Sequence, residues 1–285
     1  MQDAGITNIQ GIANNTPNFT ALTSAGGRFF SFYSMRGLSN SNFLSRSDTV
    51  SFYIDDIPVD GGFYIDKDLI DLERVEVLRA PQSTLYGRNA QAGVVNIISK
   101  KPTNKPEIKT SAGFGSYNAR DLQLSLSDAI IPDKLFFRLS GGYAARDGFG
   151  QNTLTNENLG QQSSISGRGQ LLWTPSPDWT ISFNATQSYN NDGGYGYAST
   201  TAKNRYDSAL NESGTVELND SSQALKVAYD NANFRFTSIT THRNSSQDST
   251  GDGDVSAIDF FRNVNNFSTN IWSQEVRLQS PSDVD

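Results

Sequence analysis

Residues 69–102 read LIDLERVEVLRAPQSTLYGRNAQAGVVNIISKKP, and the reading of this stretch decides the fold. Val75–Leu78 and Gly93–Ile98 carry the β-branched residues of strands and are bounded by turn-forming residues. Between them Ser83–Ala92 has room for a short helix. Gly87 and Gly93 bracket the turn ahead of the second strand, where backbone freedom is needed. No Lys-Ser/Thr pair follows these glycines, so the loop is not a phosphate-cradling P-loop. Asn96 is a polar residue inside an apolar strand, expected to satisfy backbone groups of its own domain rather than to touch a ligand.

On the N-terminal side, Asp3–Ile12 suits a short helix ended around Asn14-Asn15-Thr16-Pro17, and Phe29–Met35 and Val50–Ile54 suit strands. Residues 1–103 therefore read as one mixed α/β unit. Residues 104–285 differ. Ile108, Thr110, Ala112 and Phe114 alternate with Lys109, Ser111 and Gly113. Leu135, Phe137, Leu139 and Tyr143 share a face opposite Arg138 and Ser140, and Trp179, Ile181, Phe183 and Ala185 oppose Thr180, Ser182 and Asn184. Weaker alternation recurs at Leu225–Tyr229, Asn233–Thr241 and Ile271–Leu278, giving about eight strands. Period-two alternation over about ten residues is the pattern of a strand that crosses a membrane.

The connections follow a rhythm of their own. Asp128–Lys134, Thr174–Asp178 and Asp230–Asn233 are short, whereas Ala145–Ser163, Asn190–Ser222 and Ser245–Ser268 are long and polar; Ser116–Ala119 is the one short connection on the long side. Short and long ends alternate in this way in outer-membrane barrels. A soluble β-sandwich accounts for the alternation equally well, but not for long loops gathered at one end.

Composition narrows the function classes. Cys is absent, which removes disulfide frameworks and thiolate metal sites. A formal net charge of -7 argues against a nucleic-acid partner, which calls for a basic face. His242 is the sole histidine, so no histidine metal cluster or catalytic triad can form. Asp252-Gly253-Asp254 opens like a calcium loop but lacks the required Gly and Glu further on, and reads as part of an exposed loop. We expect no catalytic residue, no bound metal and no cofactor. Met1–Gly5 carries neither the basic nor the apolar region of an export signal.

The 69–102 stretch, preceded by Met35-Arg36-Gly37 and by Val50–Val59, closely resembles the central plug motif of TonB-dependent outer-membrane receptors, and Ser273–Leu278 resembles a barrel-strand phrase of the same family. Ala80 departs from it, standing where the family usually has Gly before Pro81; Ala accepts the extended conformation that a proline imposes on its predecessor. The resemblance implies an α+β plug domain over residues 1–103. Part of an antiparallel transmembrane β-barrel follows over residues 104–285, with about 8 of an expected 22 strands. Truncation at both ends is expected, the coupling box and barrel closure lying outside this sequence.

The resemblance also implies a function: energy-coupled import of a ferric siderophore or similar scarce chelate across the outer membrane of a Gram-negative-type bacterium. The inner-membrane TonB complex, outer-membrane lipid and the iron chelate are the implied partners. Cobalamin, heme or an oligosaccharide is the alternative cargo, and a non-transporting surface β-domain or a fragment without function are the alternatives outside transport. Arg36 and Arg79 are expected to face barrel carboxylates, with Glu73 and Glu76 in the same network; solvated charges at a sheet edge are the plainer reading. Gly37, Pro81, Gly87, Gly93 and Asn96 are expected to shape the plug. Phe43, Arg46, Phe63 and Tyr64, on two plug loops, combine aromatic faces with a cation and are the expected substrate contacts; packing of ordinary loop residues on the barrel is the competing reading.

Overall fold

The computed structural model describes residues 6, 8–23, 31–39, 49–59, 69–86, 89–194 and 206–280. The first helix, α1 (Ile9–Asn14), is capped by Asn8, whose Oδ1 accepts the Gly11 N–H at 2.9 Å; the expected start at Asp3 lies outside the described residues. Its apolar face, Ile9, Ile12 and Ala13, is buried. Strands β1 (Phe19–Thr23), β2 (Ser31–Met35) and β3 (Leu38–Ser39) form one small antiparallel sheet. The β2–β3 turn is Arg36-Gly37, at φ +54° and +81°. Two successive positive φ values close a tight hairpin of the right twist, which is the role of the Arg-Gly element and the reason for glycine there.

A second sheet has the order β5-β4-β7-β6, built from β4 (Val50–Ile54), β5 (Ile57–Val59), β6 (Leu72–Leu78) and β7 (Gly93–Ser99). Strands β4 and β7 are parallel and the other pairs antiparallel. A single turn of helix, α2 (Ser83–Tyr86), precedes β7, within the Ser83–Ala92 stretch that has room for one. Phe19, Tyr33, Met35, Val50, Phe52, Val95 and Ile97 make the core between these elements, with Tyr33 set edge-on to Phe52 at 4.9 Å. Gly93 is required by packing: a Cβ there would lie 2.2 Å from the Leu78 carbonyl oxygen and 2.3 Å from Met35 Sδ.

The remaining chain is an eight-stranded antiparallel wall in which each strand pairs with its predecessor: β8 (Glu107–Gly115), β9 (Ala119–Ile131), β10 (Leu135–Arg146), β13 (Gln162–Ser176), β14 (Trp179–Gly193), β15 (Thr215–Asp230), β16 (Arg235–Asp252) and β17 (Arg262–Gln279). A two-strand ribbon, β11 (Gly150–Gln151) and β12 (Asn158–Leu159), sits in the connection after β10. The wall is inside-out: Arg138 is 1% exposed while Leu139 beside it is 49% exposed. Ser125, Ser127, Ser140, Gln170, Ser222, Thr241 and Arg243 are buried, whereas Ile108, Phe114, Ile165, Trp173, Leu225 and Leu278 are exposed. Polar residues toward a filled lumen and apolar residues outward is how a strand wall meets lipid.

One row of paired residues measures the tilt of this wall. It runs Ile108, Leu126, Leu139, Gly169, Ala185, Gln223, His242, Trp272. It starts at the bottom of the outward apolar run Ile108–Phe114 on β8 and ends at the top of the run Trp272–Leu278 on β17. With about 3.3 Å per residue along a strand and about 4.8 Å between strands, that climb is a tilt of about 30°, near the roughly 35–45° of transmembrane barrels.

The long connections are shorter than the sequence suggested. They span 147–161, 194–214 and 253–261, because β14 to β17 continue well past the apolar band. There the ladder persists between polar residues on both faces, such as inward Asp220 and Ser245 and outward Asn219 and Ser246. Hydropathy alternation fades while hydrogen bonding does not.

Candidate functional site

The wall alone would leave a polar lumen face unsatisfied, and the first domain fills it. The seam between them is the candidate site, and three short plug segments make it. The first is Ile70-Asp71, just before β6. Asp71 sits at φ +52°, a conformation few residues other than glycine adopt, and this turns its carboxylate toward β10. There it accepts two hydrogen bonds from Arg138, Nε to Oδ2 at 2.5 Å and Nη2 to Oδ1 at 2.7 Å. The remaining Arg138 nitrogen, Nη1, reaches Glu107 Oε2 at 3.1 Å, and Lys109 pairs with the other oxygen of Glu107 at 2.5 Å. Arg138 and Asp71 are 1% and 6% exposed, so this is a desolvated, fork-shaped pair with its remaining valences used.

Ile70 itself packs where β10 has no side chain: a Cβ on Gly142 would lie 2.4 Å from Ile70 Cδ1. The Ile70 carbonyl accepts Arg168 Nη1 at 3.1 Å. The second segment is the β4–β5 hairpin tip, Asp55-Asp56, at φ +50° and +68°. Asp55 is held from within by Ser99, whose N–H and hydroxyl donate at 2.8 and 2.6 Å, and stands 3.9 Å from Arg168 Nε. Asp56 pairs with Lys226 on β15 at 2.7 Å, in a more exposed setting. The third is Lys100 after β7, 4.0 Å from Asp71. Its ammonium is pushed below the usual lysine range, first by the neighbouring Lys109 cation and then by burial.

The residues singled out from sequence lie elsewhere. Arg36 Nη1 donates to the Arg79 carbonyl at 3.3 Å, and Arg79 Nη1 to the Pro17 carbonyl at 3.4 Å. Glu73 and Glu76 both pair with Arg74, the latter at 2.7 Å, and Asn96 Nδ2 donates to Glu76 Oε2 at 3.3 Å. Asn96 therefore bonds a side chain across the β6–β7 ladder, where a backbone partner was expected. Among the described residues these four charged side chains bond within the plug, and the ion pairs across the seam have the opposite polarity, carboxylate on the plug and cation on the wall. Pro81 opens the segment leading into α2, where Tyr86 N–H closes on the Gln82 carbonyl at 2.9 Å. Phe43, Arg46, Phe63, Tyr64 and Gly87 lie outside the described residues.

Asp55, Asp56 and Asp71 were missed. An Asp-Asp pair between two β-rich segments is a signal for a two-residue turn, but nothing local says that the tip meets a barrel wall. At the outer end, Asn152 is fully buried and stitches two connections together, donating to the Leu210 carbonyl and Ser213 Oγ at 2.9 Å each and accepting Leu210 N–H at 3.1 Å. Asp252 and Asp254 fold the β16–β17 connection by accepting backbone N–H groups of Val255 and Phe261 at 2.9 and 3.0 Å. The Ser256 hydroxyl, and then the backbone N–H groups of Phe261, Phe260 and Ser256, hold the Asp254 carboxyl below the usual range.

Residues 1–94 match the family profile described as the TonB-dependent receptor plug domain. The chain is 30% identical over 230 residues to the catecholate siderophore receptor Fiu of Escherichia coli K12, covering 77% of this chain and 28% of that protein. It is 29% identical over 189 residues to the pesticin receptor of Yersinia pestis, covering 66% and 28%. Among solved structures, the ferric yersiniabactin uptake receptor FyuA of Yersinia pestis superposes with a TM-score of 0.87 at 24% identity, over 100% of this chain and 44% of that one. The open form of Fiu gives 0.73 at 21% identity, over 98% and 44%. The chain thus spans less than half the length of the relatives it matches, 28% of the two proteins compared by sequence and 44% of the two solved structures.

Proposed function

We infer, for a chain that belongs to the TonB-dependent receptors, that it is the plug and leading barrel wall of an outer-membrane importer of a ferric siderophore or similar scarce chelate. Residues 1–103 are proposed as the plug and 104–285 as the start of the barrel. The observation that carries this reading is the inside-out wall with a separate folded domain pinned in its lumen by Asp71–Arg138. A soluble domain has no use for outward Ile108, Leu139 and Trp272 opposite a buried arginine.

In this reading the substrate is bound from outside, and an energised inner-membrane TonB complex then pulls on the plug. No bond of the substrate is made or broken. The chain's own residues set what that pull must overcome. Asp71–Arg138 is a desolvated pair, whereas Asp56–Lys226 is solvent-screened and weak. Phe43, Arg46, Phe63 and Tyr64 remain the proposed plug contacts to substrate, and Arg36 and Arg79 the proposed partners of barrel carboxylates beyond β17.

The test is uptake of radiolabelled ferric siderophore by cells carrying the full-length receptor, with and without the TonB partner. Import that depends on both supports the reading. Uptake of cobalamin, heme or an oligosaccharide with no ferric chelate taken up would move the cargo assignment within the family. A full-length protein that stays soluble without detergent would end the barrel assignment.

A further inference from the structure

The seam between plug and wall differs from one side of the lumen to the other. Toward β8 to β10 it is closed: Arg138 holds Asp71 in its fork, and Ile70 fills the space over Gly142. Toward β13 to β15 it encloses a cavity with about 60 Å³ of room for water-sized occupants. The plug side of that cavity is aliphatic, made by Ile54, Ile57 and Val59 with Ile70 at its border. The facing wall is a patch of small hydroxyls, Ser140, Ser166, Thr186, Ser188 and Ser222, with Arg168 among them.

Three polar atoms of this wall have no hydrogen-bond partner among the described residues: Ser140 Oγ, Ser188 Oγ and Arg168 Nε. Ser140 is 8% exposed, so it is shut off from bulk solvent. A buried polar group without a partner is costly, and a polar space of this size takes a few ordered waters, each needing roughly 10–15 Å³. Arg168 Nε also stands 3.9 Å from Asp55 Oδ2, a gap that water can bridge. An oily plug face therefore meets a wet hydroxyl face, and its side chains carry no group that could bond to those hydroxyls.

The two sides of the seam differ in what parting costs. Parting Asp71 from Arg138 leaves buried charges uncompensated. Parting the β4–β5 hairpin from β13 to β15 breaks the screened Asp56–Lys226 pair and leaves Arg168 on the Ile70 carbonyl. It also wets Ile57 and Val59, which are 3% and 7% exposed, and that apolar exposure keeps the face shut at rest.

We propose that cargo crosses along this face: the β4–β5 hairpin moves away from β13 to β15 while Asp71–Arg138 stays closed as the hinge. The wall hydroxyls then exchange the cavity's water for hydrogen bonds to a water-soluble chelate passing over them. This route rests on the importer reading and gives it a location.

The experiment uses cells carrying the full-length receptor, with radiolabelled ferric complexes of 2,3-dihydroxybenzoate and of acetohydroxamate as cargo. Single cysteines are placed on the route, Ser188→Cys and Ser222→Cys, and beside the hinge, Ser127→Cys, at a position paired with Arg138 in the β9–β10 ladder. Labelling by a membrane-impermeant maleimide is timed with and without the TonB partner. During partner-dependent uptake the two route cysteines should label several-fold faster than at rest, and the hinge cysteine should not change. Equal acceleration at all three overturns the route, since the plug then leaves as one body. Uptake with no acceleration at any of them overturns it as well, and either result leaves the importer reading standing. Ser188→Phe gives a readout without thiols: it fills the cavity and should slow uptake several-fold with cargo binding unchanged. Wild-type uptake by that variant overturns the route. Failure of wild-type cells to take up either complex with the partner present removes the siderophore reading and the route with it.

Discussion

Asp71 of the plug grips Arg138 of the wall through two parallel hydrogen bonds, and does so from a left-handed backbone position that aims its carboxylate across the seam. The two residues are 67 positions apart in sequence, one at the edge of the plug sheet and one on the wall.

Removing one partner leaves a buried charge alone. Arg138→Met should destabilise plug docking by about 3–5 kcal/mol, and Asp71→Leu in the same background should recover most of it. Denaturant unfolding of the single and double variants in the full-length receptor measures both. An additive double variant would show that the two residues do not act as a pair.

Gly142 leaves the space that Ile70 occupies. Gly142→Val should cost about 1–3 kcal/mol through overpacking, and Ile70→Ala should relieve part of that cost. Thermal unfolding of the two single variants and the combination checks this, and a Gly142→Val protein with wild-type stability contradicts it.

The hydrogen bond from Arg74 holds the Glu76 carboxyl below the usual glutamate range. A lowered carboxylate contributes stability above its ordinary titration range and loses it as pH falls through the depressed value. The pair is partly exposed, so the contribution is under about 1 kcal/mol. Glu76→Gln should therefore be slightly less stable than wild type at neutral pH, with the two converging in acid. Melting curves across pH decide the matter, and a constant gap would assign the effect to something other than ionisation.

Leu139 and Ser140 are neighbours on opposite faces of β10. Leu139→Arg should cost about 2–4 kcal/mol in a lipid bilayer if it lies near the membrane midplane. The measurement is folding into vesicles followed by gel mobility. Wild-type folding efficiency of Leu139→Arg would contradict a lipid-facing position.

Much of the architecture was legible because its causes are local. Period-two alternation at Leu135–Tyr143 and Trp179–Ala185 follows from strand geometry alone, so it survives without any knowledge of neighbours. The plug strands were marked at Val50–Ile54 and Gly93–Ile98 by β-branched residues between turn formers, and the second extends only to Ser99. β1 was not marked: its five residues look like loop until β2 pairs with them. The outer halves of β15 to β17 were read as loops because polar residues dominate there, although Val216 and Leu218 of β15 are buried on the inward face.

The sequence by itself determined the two-part organisation and the inward and outward faces of the strands, since side-chain period acts over a few residues. Only the tertiary structure decided which charges cross the seam. Arg138, Arg168 and Lys226 find Asp71, the Ile70 carbonyl with Asp55, and Asp56 through the fit of one folded domain inside another. A charge in the sequence carries no record of the distant partner that will desolvate it.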